Sequence, residues 1–190
     1  MKSEILSQVY HHPLIRAEEL RRIINAHEKI EFRKGEYFLR EGDQADSYMI
    51  METGLMRSFI FDVNGKDITT DFFSQEDLVI EVLSLFQRTP TMENIQALTD
   101  TSCWKIDYEV FQDLFHSIEG FTEWGRLWMS NSLFECKQRT LDMVSISAKE
   151  RYLRLSKEKP EVVLQAPLKH IASYLGITDT SLSRIRKELS

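Results

Sequence analysis

Hydrophobic positions change their period several times along this chain. Residues 13–30, PLIRAEELRRIINAHEKI, set Leu14, Ala17, Leu20, Ile23, Ile24 and His27 at helical spacing behind a proline, which predicts one amphipathic helix. From residue 31 the pattern breaks into short β-branched and aromatic runs. They are separated at Lys34-Gly35, Glu41-Gly42-Asp43, Thr53-Gly54 and Asn64-Gly65. Asn-Gly between RSFIF and DITTDFF predicts a hairpin, and Gly35, Gly42, Gly54 and Gly65 are expected to take positive φ in turns. Many tight reversals in so short a stretch imply a barrel or sandwich. Residues 74–92 carry Leu78, Val79, Val82, Leu83, Leu85 and Phe86, predicting a short helix inserted among the strands and ended before Pro90. Strands resume in ENIQALTDTSCWKIDYE, with a turn at Asp100-Thr101.

From Tyr108 the helical period returns and lasts. YEVFQDLFHSI reads as one helix and residues 119–146 as a longer one. In the longer helix Leu127, Asn131, Phe134, Gln138 and Leu141 recur at steps of four and three, and Met129, Leu133, Cys136, Thr140 and Met143 do so on another face. Two such faces call for two partners, which the chain's own strands and a second copy could supply, or the chain alone. Ser147 with Glu150 three residues on is a capping box opening a further helix, and Pro160 and Pro167 bracket an expected loop.

The closing stretch, LKHIASYLGITDTSLSRIRKEL, fills every slot of a helix–turn–helix. Leu168, Ile171, Ala172 and Leu175 form one face, and Ala172 is small enough for a close helix crossing. Gly176 supplies the turn, Ile177 plugs it, Thr178 caps the second helix, and Leu182, Ile185 and Leu189 bury it. Thr178, Asp179, Thr180, Ser181, Ser183, Arg184, Arg186 and Lys187, with Lys169 on the first helix, are then the candidate DNA-binding residues. Short hydroxyls and a forked arginine suit base edges, and Lys169, Arg186 and Lys187 suit phosphates.

Composition adds a charge split. The net charge is −6, yet residues 137–190 hold 11 Lys and Arg against 6 Asp and Glu, while residues 1–136 hold 13 against 24. A basic end on an acidic body fits a polyanion-binding terminus. Hydrophobic residues at 42% and charged residues at 28% describe a soluble globular chain with no bilayer-length apolar run. MKSEILSQVYHH lacks the apolar core of a signal peptide, so a cytoplasmic location without a membrane partner is expected. Cys103 and Cys136, the only cysteines, are too few for a disulfide framework, a four-thiolate zinc site or an all-cysteine cluster, and read as reduced core residues. None of His11, His12, His27, His116 and His170 lies in residues 31–110, which removes a metal-dependent β-barrel enzyme. No Ser/His/Asp set or phosphate loop is present, so no catalytic residue, metal site or cofactor is expected. A β-domain acting through protein docking, without DNA, is the competing reading.

KGEYFLREGDQADSYMIMETGLMRSF, together with TSLSRIRKEL, resembles the Crp–Fnr family of bacterial transcription regulators over nearly the whole length. The resemblance implies an α+β fold: an N-terminal helix and an antiparallel, jelly-roll-like β-roll sensor (residues 1–117), a long dimerisation helix (118–143), and an all-α helix–turn–helix unit (144–190). KEKPEVVLQAP is too short for a full strand pair, so the winged helix is reduced. The resemblance also implies a homodimer joined through Leu127, Asn131, Phe134, Gln138 and Leu141, double-stranded DNA and RNA polymerase as partners, and a small-molecule effector in the roll. In nucleotide-binding members a glycine and an arginine hold the cyclic phosphate and a glutamate holds the ribose. Here Glu81 matches the glutamate, Ile80 replaces the glycine, and Thr91 and Met92 follow Pro90 where the arginine belongs, with Arg88 before the proline. Those four residues, Glu81, Arg88, Thr91 and Met92, are the candidate effector pocket, and cAMP is not expected to bind. Glu81 is then a surface or capping residue.

Overall fold

A computed structural model describes residues 2–189. Helix α1 (Lys2–Val9) and helix α2 (Ala17–Asn25) precede β1 (Glu28–Phe32), β2 (Tyr37–Leu39), β3 (Ser47–Thr53), β4 (Met56–Phe61), β5 (Asp67–Phe73) and β6 (Leu78–Val79). Helix α3 (Val82–Gln87) interrupts the strands before β7 (Asn94–Ala97) and β8 (Thr101–Asp107). The strands form two antiparallel sheets, ordered β1-β8-β3-β6 and β2-β7-β4-β5. Met49, Met51, Met56, Ile95, Cys103 and Ile106 are buried among them, so the two sheets close into a roll around one core.

The strands form where alternation and glycines direct. Gly35, Gly42, Gly54 and Gly65 all take positive φ. At Gly54 a second constraint applies, because an added Cβ would lie 2.5 Å from the Thr101 hydroxyl. The hairpin joining β4 to β5 is wider than the two-residue turn that Asn-Gly favours. Asp62 Oδ1 accepts from the N–H groups of Asn64 and Lys66, stapling a loop over residues 62–66.

Two sequence expectations fail near the N-terminus. The single helix over 13–30 is α2 alone. Pro13 lies in a turn, Glu19 takes the Arg16 N–H at 2.8 Å to open the helix, and the chain leaves it at Ala26 to pair β1 with β8. His27 therefore sits past the helix end. Its Nδ1 donates to Ile23 O at 2.8 Å and its Nε2 accepts from Tyr10, whose hydroxyl also meets Tyr48 at 2.9 Å. Helix α1, not foreseen, is fastened there through Tyr10, packed edge-on to Phe121 and Trp124. Residues 78–79, read as helix, pair with β3 instead.

Burial pushes His27 down to about 4 from an ordinary 6.5, a bond to Ile23 opposing and Lys2 adding to the fall. The unfolded chain therefore takes up this proton first as pH falls. The His27 contribution to stability is present in full above about 6.5 and is lost as pH drops toward about 4. Thermal unfolding should show a falling Tm across that window, with a shallower slope in His27→Gln. Equal slopes would assign the loss to other groups.

After the roll come α4 (Tyr108–Ser117), α5 (Glu119–Ser145), α6 (Ala148–Glu158), α7 (Pro160–Gln165), α8 (Leu168–Tyr174) and α9 (Asp179–Leu189). Ser147 caps α6 with Glu150, as its spacing implies. The expected loop between the prolines is a helix instead: Pro160 stands in the first turn of α7, where its missing N–H costs nothing. No strand occurs among the described residues after Asp107. A second core joins Leu55, Phe72 and Leu98 of the roll to Tyr152, Leu155, Val162, Ile171, Ala172, Leu175 and Leu182. No helix among the described residues is long and apolar enough to cross a membrane.

Candidate nucleic-acid interface and effector cavity

The α8–α9 pair is built as its residue spacing requires except at Leu189, expected in the buried face but 40% exposed at the end of α9. Gly176 takes φ +68, and the Ile177 N–H closes the turn onto Ala172 O at 3.0 Å. Thr178 Oγ1 accepts from Ser181 N at 3.2 Å, capping α9. Ala172 and Leu182 are fully buried at the crossing, with Ile177 and Ile185 packed beside them. With that face committed, Asp179, Thr180, Ser183, Arg184 and Lys187 point away from the core and are exposed. Arg186 is exposed at the edge of the same face, and Thr178 and Lys169 are exposed near the turn and on α8. Ser181 is half-buried and bonded to Thr178, so of the nine candidates it is the one turned inward. Eight polar side chains, four of them cationic and one acidic, are thus exposed at the positively charged end of the chain.

The long helix buries apolar side chains only at its start. Phe121, Trp124 and Gly125 are buried against the roll, and Trp124 Nε1 donates to Val9 O at 2.7 Å. Beyond them both seams stand open. Leu127, Asn131, Phe134, Gln138 and Leu141 are exposed, Phe134 by 68%. Met129, Leu133, Cys136, Thr140 and Met143 are exposed as well. The reading of Cys136 as a core thiol is therefore corrected: it stands on an exposed seam of α5. Cys103 is buried, as expected.

The four cassette residues do not converge. Glu81 is the cap of α3, its carboxylate accepting from Leu83 N at 3.2 Å and Ser84 N at 2.6 Å. It is buried, so capping holds and a surface position does not. Arg88 takes left-handed φ at the other end of α3 and is drawn off to Ala45 O at 2.7 Å and Asp46 at 2.5 Å, over the Tyr108 ring. Thr91 is buried in backbone pairing with Gly42 and Asp43, while Met92 is 80% exposed. Another acid lies within electrostatic reach of Glu81: burial raises the Glu93 carboxyl above its ordinary value, and Glu81 and Asp71 add to it against Thr70 and Arg139. Among the described residues no group of three His, Cys, Asp or Glu side chains could hold a metal.

Comparison with known proteins places this geometry. Residues 29–117 match the family model of the cyclic nucleotide-binding domain. FixK2 from Bradyrhizobium japonicum superposes with a TM-score of 0.74 at 19% identity, covering 86% of this chain and 84% of that one. A regulator of the Crp–Fnr family from Eubacterium rectale does so at 0.70 and 17% identity, covering 95% and 87%. Residues 29–117 are thus similar to cyclic nucleotide-binding domains, and the chain shares its fold with solved Crp–Fnr regulators. A cAMP-dependent protein kinase regulatory subunit from Debaryomyces hansenii is 30% identical over 92 residues, which is 47% of this chain and 19% of that protein. The chain spans about a fifth to a quarter of the length of the curated relatives it matches. Within the Crp–Fnr fold, residue spacing missed the joint that seats α8 on β5. Lys159 donates to Phe72 O and Asp77, Arg139 reaches Thr70 O and lies over the Tyr174 ring, and Thr69 N–H donates to Ser173 Oγ. A half-buried arginine and lysine on and between otherwise ordinary helices carry no local signature that would have pointed there.

Proposed function

We propose that this protein is a DNA-binding transcription regulator of the Crp–Fnr type, acting as a homodimer on a two-fold symmetric operator. The observation that carries the reading is the open face of α9. A capped second helix with its apolar side sealed presents Thr180, Ser183, Arg184 and Lys187 together, as a helix entering a major groove must. We read α8–α9 as the helix–turn–helix unit, α9 as its recognition helix, and the roll as its sensor. Selection from randomised duplex DNA with the full chain should enrich a palindrome whose half-sites are centred about one helical turn apart. Failure to enrich any sequence would remove the reading and favour docking to protein.

Arg184 stands mid-helix on the outward face, placed to fork onto guanine O6 and N7. Arg184→Ala should cost roughly 1–3 kcal/mol on the selected site and relax one base position, measured by gel shift against single-base variants. A uniform loss across all variants would make it a phosphate contact.

A second reading, a roll driven by cyclic nucleotide, is favoured by the family match and by the kinase regulatory relatives. The cassette geometry supports the opposite: the α3 amides are taken by Glu81 and Arg88 is engaged elsewhere.

A further inference from the structure

The β4–β5 hairpin carries a buried guanidinium that the DNA-binding reading leaves without a role. Arg57 is 2% exposed, in a residue type almost never buried without a partner. Its two Nη atoms fork onto the Asp67 carboxylate at 2.6 Å each, and Nη1 donates to the Thr69 hydroxyl at 3.0 Å. The same Nη1 reaches the terminal helices, where His170 Nδ1 of α8 stands 2.7 Å away; with two hydrogens for three acceptors, Nη1 shares one hydrogen between two of them. A guanidinium has donors only, so Nδ1 must accept through its lone pair. His170 is thereby fixed as the neutral ring with its proton on Nε2.

We propose that Arg57 and His170 form a catch that seats the recognition helix on the roll and opens when His170 takes up a proton. The proposal rests on the reading of α8–α9 as a DNA-binding unit. Protonation would remove the acceptor and set a second cation beside the guanidinium. The groups facing the imidazole are Arg57 from β4, Asp67 and Thr69 from β5, Lys169 on α8 itself and Asp179 at the start of α9. Asp67 and Asp179 favour the charged ring, but Asp67 lies 3.9 Å away and is already engaged in the arginine fork. Burial and then Arg57 outweigh them and push His170 down to about 4 from 6.5. A ring freed from the joint regains the ordinary value. Between the two values the detached arrangement binds the proton that the seated one refuses, so acidification favours release and the catch is fully closed above about 6.5.

Seating matters because two recognition helices must meet half-sites at a fixed spacing. The seated arrangement leaves the outward face of α9 open, so it is the one competent for DNA. The hairpin is also well placed to move it. Strand alternation turns Ser58 to the face opposite Arg57, where it bonds Thr70 at 2.6 Å, and the bulge at Thr70 receives Arg139 from α5. Roll interior, long helix and terminal unit all meet this one hairpin.

Two measurements on the full chain test the catch. The first is affinity for the selected duplex at pH 7.5 and 5.5. His170→Ala should bind about tenfold more weakly than wild type at the higher pH, the loss of one hydrogen bond to a charged group. His170→Asn keeps an oxygen that can accept from Arg57 and cannot titrate. It should bind as wild type does at pH 7.5 and escape the weakening of wild type at pH 5.5. The second measurement needs no DNA: the spin-label distance between Val63→Cys and Glu188→Cys in a Cys136→Ser background. It should be narrow with native His170 and broad with His170→Ala. An unchanged narrow distribution in His170→Ala, or His170→Asn following wild type through the pH change, overturns the catch. A broadened distribution in a protein that binds no DNA at all supports the catch and overturns the DNA-binding reading instead.

Discussion

Phe134→Asp should sediment as a monomer at micromolar concentration, where the wild-type chain should sediment as a dimer. Phe134 is 68% exposed, Leu133 67% and Val144 84%, on a helix whose apolar side chains past Trp128 are left exposed. Leu127, Asn131, Phe134, Gln138 and Leu141 repeat at steps of four and three, the 3.5-residue period that keeps one seam of a helix facing a second helix in a left-handed pair. Within that seam Asn131 is polar and exposed. A buried asparagine at one such position costs stability and fixes register, which suits a dimer that must hold two DNA-binding units at one spacing. A carboxylate in place of Phe134 would face its own symmetry mate across the axis, and two like charges in an apolar seam are costly to desolvate. Because the side chain packs on nothing in its own subunit, the monomer should keep its roll and its circular dichroism spectrum. Operator binding should fall by roughly 10²–10⁴, since the second half-site no longer binds as an intramolecular event. Wild-type protein sedimenting as a monomer at that concentration would refute the dimer, and with it the two-fold operator.

Much of this architecture was legible in the residue order because its signals are local. Glycines at 35, 42, 54 and 65 mark turns that only positive φ can make, and the strands between them follow. The capping box at Ser147, the extent of α4 and α5 to within one residue at their ends, and the turn at Gly176 were all readable from spacing. What misled was periodicity without tertiary context. Leu78 and Val79 fit a helical face, yet β3 offers them a ladder, and His27 fits the face of α2, yet the chain has already left the helix. The prolines at 160 and 167 suggested a loop where the first simply opens α7. The open face of α9 was legible because the spacing of its apolar residues alone sets which side chains turn outward. Arg57 and His170 were not, since 113 residues separate them and neither stands in a motif. Spacing also marked the seams of α5 without saying what covers them: both are bare past residue 125.

Titration calorimetry with cAMP or cGMP should give no saturable heat up to about millimolar ligand. A cyclic phosphate brings a full negative charge, and a roll that binds it must offer free amides and a cation. The amides of Leu83 and Ser84 at the start of α3 already hold the carboxylate of Glu81, at 3.2 and 2.6 Å. The Ser84 hydroxyl is used twice over, accepting from Ala45 N and donating to Thr89 O. An incoming phosphate would have to displace Glu81 and leave it buried beside Glu93, whose own carboxyl burial and neighbouring acids already make reluctant to ionise. No cation compensates. Arg88 is held by Asp46 and Ala45 O, Arg57 is held by Asp67, and Thr91 and Met92 stand where an arginine would fork onto the phosphate. Losing one charge-assisted pair costs several kcal/mol, enough to move a micromolar ligand to millimolar or weaker. Glu81→Gly should therefore fail to create a site as well, because it frees the amides and supplies no cation. Adding Met92→Arg to it is the variant expected to gain measurable affinity. A micromolar isotherm with the wild-type chain would mean that Arg88 leaves Asp46 for the ligand, and the roll would then be a nucleotide sensor as its family match suggests.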